Sequence, residues 1–221
     1  MGRGKRRPNH LERNRQHSRN PRERILIVSE GRKTEPLYFN AIRVKHRLPT
    51  LNITALGSEL GTNPIQVVQY AKQLFESGNP HKRIEPRAFE RVFAVFDRDE
   101  HDGYFEALGQ AEALDNKLKN DEKRPIPFKA IVSVPCFELW FLLHYEEVST
   151  PIGRDEVVRR LKRHIPGYDK GMEAVFDTTY PHLDVAMQRA EVLACRFNAR
   201  TEPEPFTNVA ELVKLLTTLH S

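Results

Sequence analysis

Three carboxylates close two apolar runs in this sequence. Glu30 ends Ile25-Leu26-Ile27-Val28-Ser29, and Asp97-Arg98-Asp99 ends Val92-Phe93-Ala94-Val95-Phe96. Both runs are β-branched or aromatic and of strand length, the pattern of strands buried on both faces of a parallel sheet. In an open α/β sheet, ligands bind just beyond the carboxyl ends of the strands. Neighbouring strands lie about 4.8 Å apart, so if these two are adjacent, Glu30, Asp97 and Asp99 reach one hard cation. An all-oxygen set of this kind suits magnesium, or manganese in its place. Taken alone, each acid has a plainer reading as a helix cap or a solvated turn residue. Their joint placement at the same end of two strands favours the metal site, because clustered carboxylates repel unless a cation or a proton intervenes.

Other side chains could take part in the same chemistry. Arg32, Lys33 and Arg98 flank the acids and would neutralise phosphate oxygens, with plain surface charge as the alternative. His101, two residues beyond Asp99, would protonate a leaving group or bind the ion, unless it is simply hydrated. Phe137 to Leu143 is apolar on nearly every side, so the short helix carrying Glu138 is expected to be buried. A carboxylate there needs a partner. Either a helix terminus or an arginine holds it, or it faces the acidic site as a further ligand.

The elements that position these groups alternate regularly. The expected order is a strand near 24–29, a helix over 35–47, a strand over 51–56, and a helix through Val67, Val68, Ala71, Leu74 and Phe75. A strand at 91–96, a helix over 103–119 and a strand near 128–134 follow. In the first helix Thr34 is the expected N-cap, and Leu37, Ala41, Val44 and Leu48 the expected buried face. This is βαβαβαβ, the order of a parallel sheet with right-handed crossovers. No further strand is evident, and helices near 153–164, 181–199 and 207–219 make the second half helical. The expected organisation is a basic arm over 1–23, an α/β core of about four strands over 24–146, and a helical extension over 147–221 packed on it.

Composition narrows the function classes. A chain of 221 residues holds one good core. No apolar run approaches a membrane span and the N-terminus has no hydrophobic signal core, so a cytoplasmic location is expected. Cys136 and Cys195 have no zinc or redox spacing. Residues 1–24 carry nine Arg or Lys against Glu12 and Glu23, a charge of +7 in a chain whose total is +5. So basic and apolar-poor an arm does not fold alone. It would grip nucleic-acid phosphates, serve as a solubilising tail, or dock on a protein partner.

Three stretches resemble a known family. Glu30-Gly31-Arg32-Lys33-Thr34-Glu35-Pro36-Leu37-Tyr38-Phe39, then Phe96-Asp97-Arg98-Asp99, then Val134-Pro135-Cys136-Phe137-Glu138-Leu139-Trp140-Phe141-Leu142-Leu143-His144-Tyr145 closely resemble the RloB family, over about residue 24 to the C-terminus. The resemblance implies a Toprim-like, Rossmann-like sheet and a nuclease effector of bacterial phage defence, acting beside an ABC- or AAA-type ATPase. By position it makes Glu30 the general acid or base and Asp97 and Asp99 the magnesium-binding pair. Glu204-Pro205-Phe206-Thr207-Asn208 departs from the Asn-Pro-Ser-Thr type of run expected there.

Three classes of function are consistent with these residues: a metal-dependent nuclease acting on RNA or DNA, a non-catalytic nucleic-acid-binding or adaptor subunit, and a phosphatase-type enzyme. The last fits least, since such enzymes carry aspartate after the first strand, where this chain has glutamate.

Overall fold

The computed structural model of the chain describes residues 23–49, 53–98, 103–201 and 205–219. Asp99, His101 and residues 1–22 of the basic arm lie outside the described residues. The strands are β1 (Ile25–Ser29), β2 (Ile53–Gly57), β3 (Arg91–Asp97), β4 (Phe128–Val134) and β5 (Phe206–Thr207). The helices are α1 (Thr34–Lys45), α2 (Pro64–Ser77), α3 (Tyr104–Leu114), α4 (Glu138–Leu143), α5 (Arg154–His164), α6 (Val175–Thr179), α7 (Leu183–Arg196) and α8 (Val209–Thr218).

The strands form one sheet in the order β2-β1-β3-β4-β5. The first four are parallel, and β5 pairs antiparallel with β4. β1 and β3 are neighbours, with Ser29 opposite Val95. Alternate residues of the central strands feed two cores. Leu26, Val28, Val92, Ala94 and Phe96 pack under α2 and α3, while Ile25, Ile27, Phe93 and Val95 pack under α1, α4 and the C-terminal helices. Strands covered on both faces read as continuous apolar runs, which is why β1 and β3 stand out in the sequence.

Four details differ from expectation. β5 is a fifth strand, too short at two residues to show periodicity. α1 buries Glu35, Tyr38, Phe39 and Ile42, while Val44 is 67% exposed. The helix is turned about one residue from the expected face because the two aromatic rings remove more apolar area from water than Leu37 and Val44 would. Thr34 lies inside α1 rather than capping it, and its Oγ1 accepts from the Gly171 N–H at 3.1 Å. α3 stops at Leu114, where Asp115 turns extended and its carboxylate accepts the Phe128 N–H at 3.0 Å. That bond draws the chain into β4, so the expected run to residue 119 is cut short.

Candidate active site

β1 connects through α1 to β2 on one side, while β3 lies on the other, so the strand order diverges between the carboxyl ends of β1 and β3. Such a point opens a crevice. Two backbone bonds hold its floor: Glu30 N–H donates to the Val95 carbonyl at 2.8 Å, and Arg98 N–H to the Ser133 carbonyl at 2.9 Å. The Glu30 carboxylate then accepts from the Asp97 N–H at 3.1 Å. Of the three acids predicted at the two strand ends, Glu30 and Asp97 are therefore in one place.

A cavity of about 280 Å3 opens there, lined by Glu30, Glu35, Asp97 and Glu138 with Arg32, Lys33, Arg154 and Lys170 among the surrounding residues. Asp97 is 6% exposed. Its pKa is raised well above the ordinary carboxylate range, first by burial and then by Glu35, Glu30 and Glu138, against a lowering bond from the Phe137 backbone. Glu35 is equally buried, and its pKa is pushed up to about 7, first by burial and then by the charges of Glu138 and Glu30. The Glu35 carboxylate fills the space over Gly31: a Cβ there would stand 2.1 Å from Oε2. That oxygen is buried and has no hydrogen-bond partner among the described residues.

Glu138 opens α4 and is 2% exposed. Tyr168, from the helical half, donates to its Oε1 at 3.3 Å. Burial, then Glu138, raises the Tyr168 phenol. Burial also holds the neighbouring Cys136 thiol well above its usual range, with Glu138 and Asp97 adding to the effect, so it stays a neutral thiol.

Of the residues read from the sequence, Glu30, Asp97, Glu138, Arg32 and Lys33 meet at this cavity, and Arg98 is not among its lining residues. Sequence reasoning missed Glu35, Arg154, Tyr168 and Lys170 as site residues. Glu35 had a signal, since it lies five residues after Glu30 in the same motif; it reads as an ordinary first-turn acid of a helix. The other three come from the helical half and carry no local signal.

The divergent run near the C-terminus has a structural use. Thr207 Oγ1 and Ser133 Oγ are 3.0 Å apart, and the Asn208 amide accepts from Val132 N–H at 2.7 Å and donates to the Ala130 carbonyl at 3.1 Å. These bonds brace β4, whose Ser133 is the register partner of Asp97.

A family model described as RloB-like protein matches residues 25–216. The chain belongs to the RloB-like family. The match takes in every described residue of the cleft, from Glu30 to Lys170, and ends within α8. Comparison with curated proteins and with solved structures gives no significant match. No helix of the described residues is long and apolar enough to cross a membrane.

A cation fits the donor chemistry of the RloB-like cleft in part. The oxygens are hard, and Glu35 Oε2 is a buried acceptor without a hydrogen-bond partner among the described residues. Among the described residues, no group of three or more His, Cys, Asp or Glu is arranged as a ready metal cage. Magnesium demands less than that, since it commonly binds through one or two carboxylates and keeps waters or phosphate oxygens in its other positions.

Proposed function

We propose that this RloB-like protein is a metal-dependent nuclease that hydrolyses phosphodiester bonds in RNA or DNA at the Glu30–Asp97 cleft. The observation that supports it is the gathering of Glu30, Glu35, Asp97 and Glu138 around one opening, where burial and mutual repulsion push Asp97 and Glu35 toward their protonated forms. A divalent cation relieves that repulsion, and a structural role alone gives no reason to crowd four acids beside a cavity.

In this reading Glu30 and Asp97 hold magnesium or manganese, with Asp99 as the further ligand suggested by the sequence. The ion, when bound, supplies Lewis acidity toward a phosphate. Glu30 is half-buried, and its bond to the Asp97 amide fixes its direction, so it can orient an attacking water and accept its proton. Exposed Arg32 and Lys33 on the rim neutralise non-bridging oxygens. Through its family the protein would act as an effector of anti-phage defence, with an ATPase partner controlling its activity.

The deciding assay follows labelled RNA and DNA, single- and double-stranded, with magnesium, manganese or chelator. Cleavage that needs the metal and vanishes in a folded Asp97→Ala variant supports the nuclease. Strand binding without cleavage under every metal condition would instead support an adaptor subunit.

A further inference from the structure

The acidic cavity does not end at Glu138. A second depression of about 310 Å3 continues from it over the helical half, and Glu138, Arg154 and Lys170 belong to both walls. α5 places Arg154 in its first turn and Lys162 two turns later, about 12 Å along the axis. Tyr168 and Lys170 come from the loop that follows. Lys162 and Lys170 are exposed and make no ion pair among the described residues. Asp155 and Asp169 stand on the same wall, so the cations are spaced rather than massed.

This wall is fastened to the loop beside the acids. The Gly171 N–H donates to Thr34 Oγ1 at 3.1 Å, and the Lys33 stem lies against Gly171, where a Cβ would sit 3.0 Å from both Lys33 Cβ and Cδ. Gly171 also has φ +84°, so a side chain there is disfavoured twice. Lys33 thus stands on the wall of the first depression against Gly171, the neighbour of Lys170, and the rim passes from the α/β core onto the helical half through Lys170 and Arg154, which line both depressions.

We propose that this continuous rim is the binding track for a single-stranded polynucleotide, whose phosphates run from Lys33 past Lys170 and Arg154 to Lys162. The inference rests on the nuclease reading for the kind of ligand. The choice of a single strand comes from depth. Glu35, Asp97 and Glu138 are only 2–6% exposed on the floor of the recess. A duplex is stiff over about 150 base pairs and keeps its phosphates on its perimeter, whereas a single strand bends into a narrow cleft. The helical half is then a substrate-gripping element as well as a support for the sheet.

The test is fluorescence anisotropy on the full chain in chelator, with labelled single-stranded RNA and DNA and the matching duplexes as probes. Single strands should bind more tightly than duplexes. A Lys162→Glu, Lys170→Glu double variant should lose roughly tenfold or more in affinity, and the slope of log affinity against log salt should fall by about 1.4, two single-strand phosphate contacts. Preference for RNA would identify the 2′-hydroxyl as part of the ligand, and equal binding would identify phosphate alone; both support the track. Equal or tighter duplex binding, or an unchanged affinity and slope in a variant with the wild-type circular dichroism and Tm, would overturn it. Metal-dependent cleavage with lysine-independent binding would remove the track and leave the nuclease, and lysine-dependent binding without cleavage would do the reverse.

Discussion

Replacing Glu35 by glutamine should make the protein more stable at alkaline pH, although the change removes a buried charged group from a motif. The Glu35 carboxyl goes from an ordinary pKa of 4.5 to about 7 on folding. Because the folded state holds its proton more tightly, stability from this group is present below the unfolded pKa and is lost as pH rises through the folded one. The difference of 2.5 units, at about 1.36 kcal/mol each, makes the loss about 3 kcal/mol once pH exceeds both values. Glutamine is the neutral isostere and loses nothing over that range. It also relieves Asp97, for which Glu35 is the largest cause of elevation after burial. Urea unfolding in chelator, followed by the fluorescence of the single tryptophan, Trp140, gives the free energy at each pH. The variant should gain on the wild type by about 2 to 3 kcal/mol between about pH 5 and pH 8. A difference that stays constant with pH, or a variant that falls behind as pH rises, would refute the reasoning that burial and neighbouring acids load Glu35 with a proton.

The same site yields other expectations. Divalent cation should raise the Tm of the wild type at pH 8, with about 2.7 kcal/mol of stabilisation at a hundredfold excess over Kd, and Asp97→Asn should abolish that rise; a retained metal response in calorimetry would place the ion elsewhere. Gly31→Ala should force the Glu35 carboxylate away, since the new methyl would overlap Oε2. The end of a flexible side chain can move, so the expected result is a small stability loss together with disappearance of the Glu35-dependent pH slope in the same unfolding experiment. Tyr38→Phe should cost about 1–3 kcal/mol in denaturant unfolding, because it leaves the Trp140 Nε1–H, now bonded to Tyr38 Oη at 2.8 Å, buried without an acceptor. Asn208→Ala should cost about 1–3 kcal/mol by freeing the Val132 N–H and the Ala130 carbonyl, read by the same method.

Local pattern alone was enough to position Glu30 and Asp97 along their strands. β1 and β3 are covered on both faces, so their interiors appear as unbroken apolar runs, and the first acid that closes each run marks the carboxyl edge of the sheet. That local signal places Glu30 and Asp97, and the uniformly apolar stretch around Glu138 likewise announces burial. Which groups surround them follows from the packing of distant segments. The face of α1 depends on which side chains bury more area against α4 and α6, and this turned Glu35 inward and Val44 outward. Two-residue β5 owes its existence to β4, and the bond from Tyr168 to Glu138 joins residues from separate halves of the chain. Periodicity reports how a segment meets the interior, whereas convergence depends on how distant segments pack on one another, and no window of sequence contains that information.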